Sequence, residues 1–298
     1  MKIGIDLGGS HIGIGVIDNN EIVEKIERPF SAEEKTKIIE VIENFIVETV
    51  KEYEKKYNIE SIGIAIPGRT KDGIILKAPN LGIINYDIGK NLFNKLQKPI
   101  LVRNDCKCSC MAEFNYLVKN DSKYKDANMV FLGIGTGIGG GVIYNGQLLR
   151  GHEYDGYEFG HMIIKENGIP CKCGRSGCFE RYGSILEYKN KVKQRLKLPQ
   201  DLHGDPLREV LEDRIDEIKD INEQYILDLS IGILNIITIF EPDIIVLGGG
   251  FSNFGYMFKE QIKQRLLNYI KKRDDIDIRI AELGNDAGII GATLWQIW

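Results

Sequence analysis

The chain has little that would take it to a membrane or to nucleic acid. Its most apolar stretch, Ile226 to Phe240, is about 15 residues long and is interrupted by Asp228, Ser230, Asn235 and Thr238, whereas a bilayer span needs roughly 20 apolar residues. That stretch reads as a buried core helix. The N-terminus, MKIGIDLGG, runs as a strand into glycines and lacks the apolar core of a signal peptide, so a cytoplasmic location is expected. Basic charge is not in excess: 39 Lys and Arg stand against 43 Asp and Glu, a formal net charge of −4, which gives no electrostatic reason to expect a nucleic-acid or acidic-membrane partner. No G-x-x-x-x-G-K-[ST] segment occurs, which excludes a P-loop. Six cysteines in a cytosolic chain are not expected to form a disulfide framework, so metal binding or packing has to account for them.

At 298 residues the chain exceeds the usual size of one domain, and two domains sharing a cleft are expected. The sequence also repeats itself. Gly9 to Asn19 aligns without a gap on Gly135 to Asn145, with Gly9, Ile12, Gly13, Gly15, Val16, Ile17 and Asn19 recurring. Each copy follows an apolar strand (Lys2 to Leu7; Met129 to Leu132) and ends on a hairpin turn, Asn19-Asn20 or Asn145-Gly146. Later, a helix with apolar residues at Ile38, Ile42, Phe45, Ile46, Val50 and Tyr53 precedes the strand Ser61 to Ile66 and the turn Pro67-Gly68. The second half answers with a helix around Tyr225 to Phe240, a strand Asp243 to Leu247 and the turn Gly248-Gly249-Gly250. Alternating strands and helices imply an α/β fold with mostly parallel pairing beyond each meander.

Three glycine turns fall at equivalent places. Asp6-Leu7-Gly8-Gly9-Ser10 sets a carboxylate at a strand end ahead of backbone N–H groups able to wrap a phosphate, and the carboxylate is placed to hold magnesium through water. A tight hairpin turn is the plainer alternative. Gly135-Thr136-Gly137-Ile138-Gly139-Gly140 matches G-x-G-x-x-G, but strand and hairpin follow it instead of the helix that a dinucleotide site requires. The turn at Gly248-Gly249-Gly250 lies between a strand and a helix near Phe254 to Lys272, where missing side chains would let adenine or ribose approach the backbone.

His161, Cys171, Cys173 and Cys178 form H-x9-C-x-C-x4-C. Three thiolates and one imidazole complete a tetrahedral zinc shell with no open position, so a structural zinc is expected there. Cys106, Cys108 and Cys110 lie on an expected helix and read as small packing residues. His11, in the first glycine hairpin, reads as a partly exposed turn histidine, with a contact to phosphate as the alternative, and His152 and His203 sit in polar loop contexts and read as ordinary loop histidines.

With Asp6-Leu-Gly-Gly-Ser10, Asn104-Asp105, Gly133 to Gly140, Glu158-Phe-Gly-His161 and Cys171-Lys-Cys-Gly-Arg-Ser-Gly-Cys178 in this order, down to Gly284-Asn-Asp-Ala-Gly288 and Gly291-Ala292, the sequence resembles the ROK family of bacterial sugar kinases and repressors over essentially its whole length. The resemblance implies a duplicated actin-like ATPase (ribonuclease H-like) fold. A small N-terminal domain would cover 1–104, joined by a C-terminal helix at 286–298, and a larger domain at 105–285 would carry the zinc. It implies ATP and magnesium as cofactors, a hexose as substrate, and a homodimer. Asp105 matches the family's catalytic base, and Asn80, Asn104, Glu158, His161 and Glu180 match positions contacting sugar hydroxyls. Asp6, Gly8, Gly9, Ser10, Gly135, Thr136, Gly137, Gly249 and Gly250 fall on nucleotide and magnesium motifs.

Two residues depart from the pattern. His11 stands where lysine or asparagine is usual, and Tyr157 where a small residue normally precedes the glutamate, which points to a narrower or differently shaped sugar pocket. Family repressors carry a helix-turn-helix ahead of the first glycine strand, where this chain starts, so an enzyme is expected. Asp105, at the end of the strand Pro99 to Val102, has two readings: a general base for a sugar hydroxyl, and a cap for the helix that follows. Glucose phosphorylated at its 6-hydroxyl is the favoured reaction. N-acetylmannosamine, allose or fructose phosphorylation, a non-catalytic sugar-binding regulator and a protein-binding ATPase are the alternatives.

Overall fold

A computed structural model describes residues 1–151, 156–270 and 276–294. The chain forms two compact units. The first takes the described residues of Met1–Asp126, Gly141–Gly156 and Leu283–Trp298, and the second Ala127–Gly140 and Tyr157–Glu282.

In the first unit, β1 (Lys2–Leu7), β2 (His11–Asp18) and β3 (Glu21–Pro29) form an antiparallel meander. Its second turn is Asn19-Asn20, both at positive φ, the backbone that suits a two-residue hairpin. Helix α1 (Ile38–Glu54) then leads to β4 (Ser61–Ile66), which pairs parallel with β1. A small sheet of β5 (Arg69–Lys71), β6 (Ile74–Ala78) and β7 (Ile83–Tyr86) follows, then α2 (Ile88–Leu96), β8 (Ile100–Asn104) parallel to β4, and α3 (Asp105–Asn120). On α1, Ile38, Ile42, Ile46, Val50 and Tyr53 face the core as their spacing requires, while Phe45 stays half-buried under the Arg28 guanidinium, 4.7 Å from the ring centroid.

Beyond this unit's α3, the chain continues through β9 (Met129–Ile134), β10 (Ile138–Tyr144) and β11 (Gln147–Leu148). The helices α4 (Glu180–Gly183), α5 (Ile185–Leu196), α6 (Gly204–Asp213) and α7 (Lys219–Phe240) precede β12 (Ile244–Gly248), which pairs parallel with β9. After α8 (Lys259–Tyr269), β13 (Asp277–Ile280) pairs parallel with β12. The two sheet orders, β3-β2-β1-β4-β8 and β11-β10-β9-β12-β13, are the same pattern twice. The repeat at Gly9 and Gly135 is therefore a repeat of architecture, an α/β fold whose halves each join a meander to two parallel strands.

Helix α7 together with the turn before it, Ile215–Phe240, is long and apolar enough to cross a membrane by length and composition, beyond the shorter run read from the sequence. Half of its most apolar window is buried, and its middle carries Asp228, 1% exposed, bonded to Lys165 Nζ at 2.8 Å. A buried carboxylate paired with a lysine belongs to a protein core.

The boundary expected at Asp105 falls inside the first unit, because α3 packs against the returning C-terminal helix α9 (Asp286–Gly291). The two helices are nearly in backbone contact: a Cβ on Gly291 would overlap the Cys108 carbonyl. Gly4 on β1 and Gly63 on β4 admit α9 from the sheet side in the same way, against the Ile289 and Ala292 carbonyls. The last four residues of the expected 286–298 helix lie outside the described residues.

Candidate functional site

Two clusters of chemically active side chains form, one within each unit. In the first, Asp6 lies one residue before the end of β1, and Gly8, Gly9 and Ser10 make the turn into β2, closed by Gly8 N–H donating to the His11 carbonyl at 2.9 Å. The His11 ring lies over this turn: a Cβ on Gly8 would meet its Cε1 at 2.7 Å. Gly9 lies against Asn80, and Ser10 and Asn80 are exposed. The Asp6 carboxylate packs on α9, where a Cβ on Gly288 would stand 2.6 Å from its Cγ.

Strand β8 delivers Asn104 and Asp105 to the start of α3. Asn104 is the cap, its side-chain oxygen accepting from Lys107 N–H at 3.2 Å while its amide donates to the Gly68 carbonyl at 3.0 Å. Asp105 is thus the first residue of the helix and Asn104 its cap. One oxygen of its carboxylate accepts from the Cys106 N–H at 2.8 Å. Loss of solvent raises the Asp105 pKa above the ordinary carboxylate value, against the lowering effect of Cys106 and of the Lys107 charge. Asp6 is pushed up to about 7, first by loss of solvent and then by the charges of Asp105 and Glu27. A carboxylate whose ionisation is opposed by a second carboxylate is donor chemistry that a hard divalent cation relieves.

In the second unit, the short turn Phe159–His161 follows Glu158, and a loop runs from it to Cys178. Antiparallel bridges Ile163–Cys178 and Pro170–Ser176 fold that loop back on itself. The ligand atoms of His161, Cys171, Cys173 and Cys178 all lie within 4.8 Å of one another. Cys173 Sγ is 3.5 Å from Cys178 Sγ, and Cys171 Sγ is 3.8 Å from His161 Nδ1, close to the ~3.8 Å edge of a tetrahedron of thiolates around zinc. Burial pushes the Cys171 thiol up to about 12 and raises Cys178, while backbone hydrogen bonding at Arg175 lowers Cys173. A divalent cation would be needed to hold all three as thiolates.

Glu180, at the start of α4, adjoins this cluster: its Oε1 accepts from Cys171 Sγ at 3.0 Å and lies 3.6 Å from His161 Nδ1. Its other oxygen reaches the second glycine turn, where a Cβ on Gly137 would meet Oε2 at 2.6 Å. In that turn Gly135 N–H donates to the Gly137 carbonyl at 2.9 Å, and a Cβ on Gly250 would come within 3.9 Å of Gly135 Cα. Thr136 lies between the two. The third turn begins at Gly249, whose φ of +68° uses the left-handed region open to glycine. The glycine turns at 135–137 and 249–250 thus adjoin, with Glu180 beside the first.

Glu158 is exposed. Tyr157 before it adopts φ +57°, a left-handed conformation costing a non-glycine residue ~1 kcal/mol. Its ring packs on Phe240 and Phe159, with centroids 5.8 and 6.4 Å away, so the extra bulk at this position is taken up by an aromatic cluster. His203 Nδ1 faces Lys193 Nζ at 3.5 Å, and His152 lies outside the described residues. Cys108 and Cys110 are fully buried, as packing residues should be, but Cys106 is partly exposed beside Asp105. Sequence reasoning missed it because three alternating cysteines on one helix look alike until the partners of each are known.

Comparison with known proteins agrees with this geometry. The chain is 30% identical to a glucokinase of Halalkalibacterium halodurans, over 97% of this chain and 92% of that protein. It is 28% identical to an N-acetyl-D-glucosamine kinase of Escherichia coli, over 100% and 99%. Among solved structures, a ROK family glucokinase from Streptomyces griseus, crystallised with glucose and AMPPNP, superposes with a TM-score of 0.81 at 24% identity, covering 98% of this chain and 97% of that one. That likeness carries the duplicated actin-like ATPase fold over. The ROK family model matches residues 2–297, and the chain belongs to the ROK family.

Proposed function

We propose that this chain is an ATP-dependent hexose kinase that transfers the γ-phosphate of ATP to a sugar hydroxyl, with the 6-hydroxyl of glucose as its first acceptor. One observation carries the reading: the Asp105 carboxylate, at the start of α3, is released from capping by Asn104. It is therefore available to take the proton of an attacking hydroxyl. The names of the two kinase relatives and the glucose and nucleotide analogue in the Streptomyces griseus crystal support the same assignment.

Phosphoryl transfer asks little covalent chemistry of a protein beyond in-line positioning and neutralisation of charge. In this reading Asn80, Asn104, Glu158, His161 and Glu180 are the residues that bind sugar hydroxyls, and Asp105 takes the proton of the reacting one. Backbone N–H groups of Gly8, Gly9 and Ser10 and of Gly135, Thr136 and Gly137 cradle phosphates, and Gly249 and Gly250 admit the nucleoside. Asp6 fits a magnesium ion held through water, which when bound supplies charge neutralisation to the phosphates. The donor set of His161, Cys171, Cys173 and Cys178 fits a structural zinc that fixes the ring of His161 and the loop leading to Glu180. A cytoplasmic homodimer belongs to the same reading.

The N-acetyl-D-glucosamine kinase relative, matched over almost its full length, keeps N-acetylhexosamines as a second acceptor class. The test is ATP consumption with magnesium across a panel of glucose, mannose, allose, fructose, N-acetylglucosamine and N-acetylmannosamine. Turnover that requires one of these sugars supports the kinase, and the preferred sugar names the acceptor. Sugar binding without nucleotide turnover would make the chain a regulator, and sugar-independent hydrolysis would make it a different ATPase.

A further inference from the structure

Helix α7 receives both limbs of the cysteine loop on one face. Gly232 leaves room for the ring of Phe179, whose Cζ a Cβ at that position would meet at 2.3 Å. Asp228, four residues earlier and therefore on the same face, binds Lys165 Nζ through Oδ1 at 2.8 Å. Phe179 stands between Cys178 and Glu180, and Lys165 stands in the opposite limb, four residues after His161. The limbs meet at this level: Ile164 N–H donates to the Gly177 carbonyl at 2.9 Å, and a Cβ on Gly177 would overlap the Lys165 carbonyl. The Lys165 ammonium also lies over the Tyr182 ring of α4, 4.4 Å from its centroid, and the Tyr182 hydroxyl accepts from Ile169 N–H at 2.7 Å. One side chain thus touches α7, the short helix that Glu180 begins and, through Tyr182, the run leading to Cys171.

We propose that Lys165 is a positioning residue for Glu180, its ammonium tying the base of the cysteine loop and α4 to α7 so that the Glu180 carboxylate keeps one direction. This rests on the reading of Glu180 as a ligand of sugar hydroxyls. Helix α4 has four residues, too few to hold a helix by its own hydrogen bonds, so its direction is set by what it packs on. The cysteine cluster closes the loop on itself, between His161 and Cys178 at its base and Cys171 and Cys173 toward its tip. The Lys165–Asp228 pair joins that closed loop to α7. Asp228 is 1% exposed, and its Oδ1 also accepts from the Gln224 amide at 2.9 Å. Neutralising so deeply buried a carboxylate requires the ammonium to stay within reach, whereas an apolar side chain in its place would be free to slide along the helix.

The experiment replaces the pair by apolar residues, Lys165→Met together with Asp228→Leu, because Lys165→Met alone would bury an unpaired carboxylate. The double variant is expected to melt near the wild-type temperature and to raise the KM for sugar by about tenfold, the lower end of what one hydrogen bond to a charged group contributes. Its kcat and its KM for ATP should stay nearly unchanged, a split that a merely weakened fold would not produce. Amide hydrogen exchange is read without any sugar: the Ile169 and Gly177 N–H groups, bonded to the Tyr182 hydroxyl and the Ile169 carbonyl, should exchange faster than in wild type, while those of α8 should not. A wild-type KM for sugar in the folded double variant overturns the proposal, and so does wild-type exchange at Ile169. If the double variant does not fold, Asp228→Asn keeps the shape, removes the charge that holds Lys165 and gives the same two readings. Glu180→Gln separates this proposal from the reading it rests on. Unaltered sugar affinity in that variant removes Glu180 from the sugar site, and exchange at Ile169 then still decides whether Lys165 anchors the loop.

Discussion

Oε1 of Glu180 lies 3.0 Å from Sγ of Cys171, so a carboxylate proposed to bind sugar is in direct contact with the cysteine cluster. Emptying that cluster removes what fixes the His161 ring and the loop between His161 and Cys178, against which Glu180 packs. Cys173→Ser is expected to lose one equivalent of zinc and to raise the KM for sugar far more than the KM for ATP. Metal analysis with kinetics on both substrates decides the matter. A zinc-free variant with unaltered sugar affinity would break the link between the cysteines and the sugar.

Asp105→Asn preserves size and the start of α3, because Asn104 provides the cap. Turnover should fall by about two to four orders of magnitude, the range for losing a positioned general base, while sugar binding measured by calorimetry persists. The wild-type pH profile tests the same residue. Loss of solvent holds the Asp105 pKa above its ordinary value, and only the deprotonated form is a base. Rate should therefore fall on the acid side through a pKa higher than that of a free aspartate. Full turnover in Asp105→Asn would remove it from the chemistry.

The repeated architecture was legible because each copy writes the same apolar strand, glycine turn and hairpin, and the order of both sheets follows from that repeat. The H-x9-C-x-C-x4-C spacing likewise implied a cluster, since turn-forming residues between the cysteines leave the loop one compact way to close. What depended on distant partners was not legible. The packing of α3 on α9, which arrives from the far end of the chain, has no signal in the residues of α3 themselves. Tyr157 looked like bulk in a sugar pocket until Phe240 gave its ring another place to pack. Asn104 and Asp105 are both good helix caps, and only the hydrogen bond to Lys107 N–H separates their roles.

Asp6 makes stability depend on pH in a known direction. Its pKa is about 7 in the folded protein against 3.8 for an ordinary aspartate, so below 3.8 both states hold the proton and the group costs nothing. Between 3.8 and about 7 the unfolded chain releases that proton while the folded one retains it, and stability is lost as pH rises through this window. Asp6→Asn removes the effect. Without ligands, the variant should be more stable than wild type at pH 8 and equal to it near pH 3.5. Saturating magnesium and ATP should narrow the gap. Thermal melts at both pH values measure it, and an equal difference at both would dismiss the linkage.

Two glycine-to-alanine changes separate packing from function. On Gly291 a Cβ would overlap the Cys108 backbone carbonyl, so α3 and α9 must move apart. Gly291→Ala should cost about 3 kcal/mol in denaturant unfolding, at the upper end of overpacking penalties. On Gly137 the obstruction is Oε2 of Glu180 at 2.6 Å, the far end of a side chain free to rotate away. Gly137→Ala should leave the unfolding midpoint nearly unchanged but displace the carboxylate, raising the KM for sugar with a smaller effect on kcat. The contrast is the test: each alanine meets a close neighbour, but only one neighbour is backbone. If Gly137→Ala destabilises the fold as much as Gly291→Ala, Glu180 is held too rigidly to yield. If it alters neither stability nor sugar affinity, the contact between Glu180 and the glycine turn has no part in binding the sugar.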